Sequence, residues 1–397
     1  MHWTGRPAEC CTGSKLPRPP TSERVVRPGT EAAMTVGTES SPSSAGMDAT
    51  ALDRALALIK SKNAAAQLCV IRDGQVVLDR SFGCQRDALF LIYSASKPFV
   101  ALVVHLLAQR GLLSLDDPVA AHWPEFSQHG KGSITVRHVL QHRAGIPVAG
   151  GLLRTMLHLA DWERSIRDVE QARPRWPAGK VPAYHFVTYG FILGELARRV
   201  TGKPVRDLMT GELLIPLGLN DVHLGLPIEL WSRHVRVRAE HPTELPNELV
   251  FNRRKIRQAV IPAVSISTTA SQLARFYQML LSGGELDRVR VLDEETIAEA
   301  RRPSSDGELD AFVKRPVRWA QGFQLGGPGT DPRDLSRIMG VNSSRQAFGH
   351  GGNASCAAWA DPTRRLVFVY LMNLQPRIDD GTQYLGDIAD AVLAACN

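Results

Sequence analysis

No stretch of this 397-residue chain approaches the ~18–20 consecutive apolar residues that span a bilayer, although 44% of its residues are hydrophobic. The apolar content therefore goes into a core. The N-terminus has Arg and Lys residues but no apolar run after them, so it lacks the form of a signal peptide, and a cytoplasmic location is expected. Cysteine is scarce: Cys10 and Cys11 are adjacent, and Cys69, Cys84, Cys356 and Cys396 are scattered. Without a C-x-x-C pair there is no sign of a zinc knuckle or redox dithiol, and a chain this long and cysteine-poor does not read as a disulfide framework. No G-x-S-x-G elbow occurs, which speaks against an α/β-hydrolase. His138 and His142 have i, i+4 spacing but no H-E-x-x-H glutamate, so they read as structural histidines rather than metal ligands. No phosphate-cradling loop stands out; Gly283-Gly284 reads as the end of a helix and Asp116-Asp117-Pro118 as a turn. Neither a metal nor a cofactor is expected.

The formal net charge is +7. The densest basic run is Arg253, Arg254, Lys255 and Arg257, near Arg233, Arg236 and Arg238. A solvated surface explains it; an anionic lipid or membrane surface in weak contact is the sharper alternative. No nucleic-acid module or interleaved aromatics accompany the charge, so nucleic acid is not an expected partner.

Residues 1–46 are rich in Pro, Ser, Thr and Gly without hydrophobic period, and are read as a disordered head. Met34 and Met47 both stand as alternative starts. From Met47 the chain reads as one globular domain over 47–397. Asp48–Lys62 has a helical apolar face, and Gln67–Arg72 and Gln75–Arg80 alternate about Asp73-Gly74, a strong hairpin signal. An apolar helix runs from Ser94 to about Gln109. Further helices are read at Val136–His142, Thr188–Val200, Ser271–Leu281 and Glu294–Arg301. Strands return at Ala354–Ala360 and Leu366–Met372, and a closing helix at Tyr384–Ala395. Strands at both ends with helices between predict an α+β fold. The two ends, about 47–110 and 320–397, share one antiparallel sheet flanked by helices, beside a helical lobe over about 111–319. A cleft between the lobes is the natural place for chemistry.

Ser94-Ala95-Ser96-Lys97 is the one S-x-x-K in the chain. At the start of an apolar helix this spacing puts Ser94 and Lys97 one turn apart on one face. A serine hydroxyl attacks only once a base takes its proton, and a desolvated lysine is neutral enough to do so. An N-cap serine followed by a surface lysine explains the same four residues equally well. Two other segments tip the balance. Pro177–His185 precedes the helix that begins at Thr188, and Phe348-Gly349-His350-Gly351-Gly352-Asn353 leads into the late strand.

In this order, together with Leu115–Val119, Ile134–Leu140, Gln141–Ile146 and Ala274–Leu280, these segments resemble the serine β-lactamase and penicillin-binding superfamily. The nearest resemblance is to its class C-like esterase branch, the family VIII carboxylesterases, over roughly residues 50–395. It implies a β-lactamase/transpeptidase-like fold and an acyl-enzyme on Ser94, with Lys97 as base. Tyr184 then matches the family's Y-x-N tyrosine and relays a proton to the leaving group, a cationic Lys97 favouring its phenolate. The backbone N–H groups of Ser94 and Asn353 would form the oxyanion hole, and His350, Gly351, Gly352 and Phe186 would meet the substrate.

Two departures bear on that substrate. Phe186 replaces the Y-x-N asparagine, and His350-Gly351-Gly352 stands where K-T-G supplies a cation and a hydroxyl. His350 could donate a hydrogen bond, or carry charge below about pH 6.5. A small-molecule carboxylic ester needs neither missing group, whereas a β-lactam does. Ester hydrolysis is therefore expected. β-Lactamase or D-amino-acid peptidase activity is the first alternative, and a penicillin-binding-like protein without turnover the second.

Overall fold

A computed structural model describes residue 2 and residues 39–396. Leu68 and Val70 alternate along their strand with Cys69 and Ile71, and all four are buried, because the sheet they belong to is covered on both faces. That sheet has six strands in the order Gln75–Phe82, Ala66–Arg72, Leu366–Met372, Cys356–Asp361, Phe348–Gly352 and Gln324–Leu325. Every pairing is antiparallel, and the two chain ends meet where Ala66 lies opposite Met372 and Arg72 opposite Leu366. One face packs Leu68, Val70, Trp359 and Phe368 against the helices Ala49–Ser61 and Ile378–Ala394. The other packs Cys69, Ile71, Val367 and Val369 against the helix Ala270–Leu281. The α+β architecture is as read from the sequence.

The lobe boundary is not. Ala270–Leu281, drawn into the helical lobe, lies on the sheet, and one hydrophobic core runs from that face through Lys97–Gln109 into Thr188–Thr201. Continuous apolar burial leaves no seam at residue 111 or 319. Lys97–Gln109 is the axle of this core, buried from Lys97 to Leu107.

The head read as disordered over residues 1–46 needs a boundary correction too. Residues 1 and 3–38 lie outside the described residues, but Glu39–Gly46 is described. Ser40 N–H donates to the Val76 carbonyl (2.8 Å), and the Glu39 carboxylate accepts from Asp79 N–H (2.8 Å). Pro42–Ala45 forms a short 3₁₀-helix that buries Ala45, and Met47 follows it into the core. The unpaired edge of Gln75–Phe82 supplies the partners that composition cannot reveal. A chain starting at Met47 is accordingly expected to melt about 2–4 °C below one starting at Glu39, the scale of ~1 kcal/mol lost. Equal melting curves by calorimetry would show that these contacts contribute nothing.

The basic cluster is likewise not one surface. Arg257 is fully buried against the Val235 carbonyl and Ser267, and Arg233 is held by Asp221 and Asp87. Arg253, Arg254, Lys255, Arg236 and Arg238 remain exposed. No helix among the described residues is long and apolar enough to cross a membrane.

Candidate active site

The strand Phe90–Leu91 pairs with Ile266–Thr268, and Tyr93 then turns the chain with φ of 47° into a 3₁₀ turn over Tyr93–Ser96. The α-helix starts only at Lys97, three residues later than the pattern predicts, so Ser94 is not an N-cap. Its hydroxyl is engaged elsewhere. Lys97 Nζ is hydrogen-bonded to Ser94 Oγ at 3.1 Å, and the Tyr184 hydroxyl donates to the same oxygen at 2.6 Å. Lys97 Nζ also reaches the Ala263 carbonyl at 3.4 Å and lies 4.6 Å from the centre of the Tyr184 ring.

Burial decides the charge of this trio. Lys97 is wholly buried, which pushes its amine well below the ordinary lysine range. Burial also raises the Tyr184 phenol, opposed by the Ser94 hydrogen bond and reinforced by the Asp310 carboxylate. Both directions run against the expectation of a cationic lysine beside a phenolate. Among the described residues no carboxylate pairs with Lys97, so only neutral oxygens, Ser94 Oγ and the Ala263 carbonyl, replace its hydration.

Tyr184 is held by residues the motifs did not point to. The carboxylate of buried Asp310 accepts from Tyr184 N–H (2.8 Å) and from Trp319 Nε1–H (3.2 Å), and the Trp319 ring stacks on Tyr184 at 5.4 Å. His142 packs 4.9 Å from the Tyr184 ring and its Nδ1 accepts from His185 N–H, so it props the tyrosine segment rather than a metal. Asp310 and Trp319 carry no spacing signal; Asp310 lies 126 residues from Tyr184 in the chain.

A cavity of about 210 Å³ opens over Ser94. Ser94, Tyr184, Phe186, His350, Gly351 and Asn353 all line it, as expected, and apolar Phe312, Leu335, Ile338 and Leu385 complete much of the wall. Lys97 sits behind Ser94 and is not on that wall. His350 is buried and its imidazole is lowered to about 3, chiefly by burial, which runs against the charge expected below about pH 6.5. Gln324, also on the wall, was missed: its Oε1 accepts from Gly351 N–H at 2.9 Å. A larger open groove near His105 and Arg302 lies away from this chemistry.

Gly352 is not on the cavity wall, contrary to its expected substrate contact. A Cβ there would stand 2.1 Å from the Ile92 carbonyl oxygen. The missing side chain lets the Phe348–Gly352 strand press against the turn that carries Ser94, fixing Asn353 (φ 48°) relative to the nucleophile. Gly352→Ala should lower kcat for an activated ester by ~10²-fold, since a shift of about 1 Å has that cost, with a smaller change in KM. Wild-type kcat in the folded variant would refute this positioning role.

The family model described as Beta-lactamase matches residues 48–393, and the chain belongs to that family. Within it the likeness runs to esterases. The chain is 30% identical over 354 residues to "Esterase/beta-lactamase LipL" of Mycobacterium tuberculosis, covering 77% of this chain and 76% of that one. It superposes on the crystal structure of a family VIII carboxylesterase with TM-score 0.75 and 28% identity, covering 86% of this chain and 96% of the other. A penicillin-binding protein homologue from Caulobacter crescentus follows at TM-score 0.72 and 27% identity, covering 90% and 99%.

Proposed function

We propose that this carboxylesterase-type hydrolase cleaves small uncharged carboxylic esters through an acyl-enzyme on Ser94. Neutral Lys97 takes the Ser94 proton as Oγ attacks the ester carbonyl carbon. The backbone N–H groups of Ser94 and Asn353 receive the developing oxyanion. When the tetrahedral intermediate collapses, the Tyr184 hydroxyl gives its proton to the departing alkoxide and is reprotonated by the Lys97 ammonium. The alcohol leaves, and water repeats the sequence to release the acid.

The observation that carries the substrate reading is the cavity wall, which among the described residues has no Arg or Lys side chain and much apolar surface. An anionic β-lactam would leave its carboxylate without a cation, while a short acyl chain loses nothing. A cavity of about 210 Å³ is modest for a ligand site, which suits short rather than long acyl chains. With p-nitrophenyl esters of increasing length, turnover should favour butyrate over palmitate. A chromogenic cephalosporin should be slower in kcat/KM by about tenfold to a hundredfold or more, the value of one charge-assisted hydrogen bond. Restoring the motif with His350→Lys and Gly351→Thr should help the cephalosporin only if Ile338→Val is added, because a Cβ at Gly351 meets Ile338 Cδ1 at 2.7 Å. A wild-type preference for the cephalosporin over every ester would overturn the ester reading.

A further inference from the structure

The turn that follows the strand Phe348–Gly352 is held in a conformation its residues disfavour. Asn353 and Ala354 both have positive φ, 48° and 57°. Asparagine visits the left-handed region readily, but alanine brings a Cβ that crowds the following carbonyl. Three contacts keep the turn there. The Gly352 carbonyl accepts from Ser355 N–H at 3.0 Å and from the Ser355 hydroxyl at 3.1 Å. The Asn353 carbonyl accepts from the Gln375 amide Nε2. A Cβ on Gly381 would stand 2.5 Å from the Ala354 carbonyl oxygen, so this glycine lets the last helix close over the turn.

The two carbonyls bracket one N–H. In a trans peptide the Asn353 N–H points opposite to the Gly352 carbonyl, so fastening that carbonyl to Ser355 aims the N–H the other way. Gln375 fixes the next peptide plane, and with both planes held the torsions of Asn353 are set. Asn353 lines the cavity over Ser94, and among the described residues neither its N–H nor that of Ser94 has a hydrogen-bond partner. Ser355 and Gln375 are themselves buried and do not line the cavity. Packing alone does not account for the glutamine. Its Oε1 is buried without a partner among the described residues, and a leucine would fill similar space without that cost. We infer that Ser355 and Gln375 are positioning residues of the oxyanion hole, aiming the Asn353 N–H at the carbonyl oxygen of an ester under attack by Ser94. This role rests on the proposed ester hydrolysis and adds the residues that set its oxyanion donor.

Gln375→Leu should lower kcat for p-nitrophenyl butyrate by about tenfold to a hundredfold, short of the ~10²–10³-fold cost of losing an oxyanion donor outright. Ser355→Ala keeps the backbone bond and removes the hydroxyl's, so its loss should be about threefold to tenfold, the worth of one hydrogen bond. KM should change little in either variant, because the aimed N–H acts on the transition state. A thionoester separates aiming from scaffolding. Sulfur is a weak acceptor, so p-nitrophenyl thionobutyrate draws little on the oxyanion hole. The ester-to-thionoester ratio of kcat/KM should therefore fall in each variant by nearly the same factor as the ester kcat. Wild-type ester kcat in folded Gln375→Leu protein would overturn the positioning role. Equal losses on both substrates would overturn it too, reducing the residues to scaffolding. Should Gln375→Leu not fold, Ser355→Ala carries the same test alone. If wild type turns over no ester, the esterase reading fails, and the rate at which a fluorophosphonate labels Ser94 decides the positioning role, since its phosphoryl oxygen needs the same donor. Equal labelling rates for wild type and variants would then count against it, and no labelling of wild type would remove both readings.

Discussion

Ser94→Ala is expected to lower kcat for p-nitrophenyl butyrate by at least ~10⁴-fold, the scale at which a nucleophile's removal leaves only binding and oxyanion contacts. The loss should be chemical and not structural. Ser94 lies in a 3₁₀ turn whose backbone bond, Ala95 N–H to the Ile92 carbonyl at 3.1 Å, does not involve the side chain. Among the described residues its hydroxyl hydrogen-bonds the Lys97 and Tyr184 side chains, and alanine fits the turn without strain. Circular dichroism and melting should therefore stay close to wild type. A fluorophosphonate should add its mass to wild type and not to the variant. Near-normal turnover by folded Ser94→Ala protein would remove Ser94 from the mechanism.

The second large effect concerns the pair that activates it. Lys97→Ala and Tyr184→Phe should each lower kcat by about 10²–10⁴-fold, as for a positioned base or acid. Both act on one oxygen, so the double variant should be little worse than the poorer single one. Independent losses that multiply would mean that the two do not form a unit. The pH profile gives the sign of each charge. In the proposed mechanism Lys97 acts as a neutral amine, so the rate should fall as pH drops through its lowered pKa. Tyr184 works protonated, so the rate falls only as pH rises through its raised pKa. Activity should thus be held across neutral and mildly alkaline pH, and Lys97→Ala should abolish the acid limb. His185 and His350, both lowered to about 3 chiefly by burial, should add no inflection near pH 6.5.

What the sequence by itself determined is what short-range physics encodes. The Ser94–Lys97 spacing places two groups within one turn whether that turn is α or 3₁₀, which is why a three-residue error in the helix start did not disturb their 3.1 Å contact. Alternation about Asp73-Gly74 read out Gln67–Arg72, one residue short of the strand Ala66–Arg72, and Leu366–Met372 was read with its observed bounds. Other boundaries slipped where tertiary contacts override local pattern. The last helix begins at Ile378 rather than Tyr384, its first turn carrying Asp379 and Asp380 and its Gly381 lying close against Ala354. Only the tertiary structure brought Asp310 and Trp319 to Tyr184 and set Gln324 beside Gly351, since those contacts join segments with no common period or motif. It also decided which way burial moves the Lys97 and Tyr184 pKa values. A lysine's pKa depends on how much water the surrounding core removes, and the core around Lys97 is assembled from segments as distant as Ala263. Residue type alone leaves an ordinary lysine there; burial lowers its pKa.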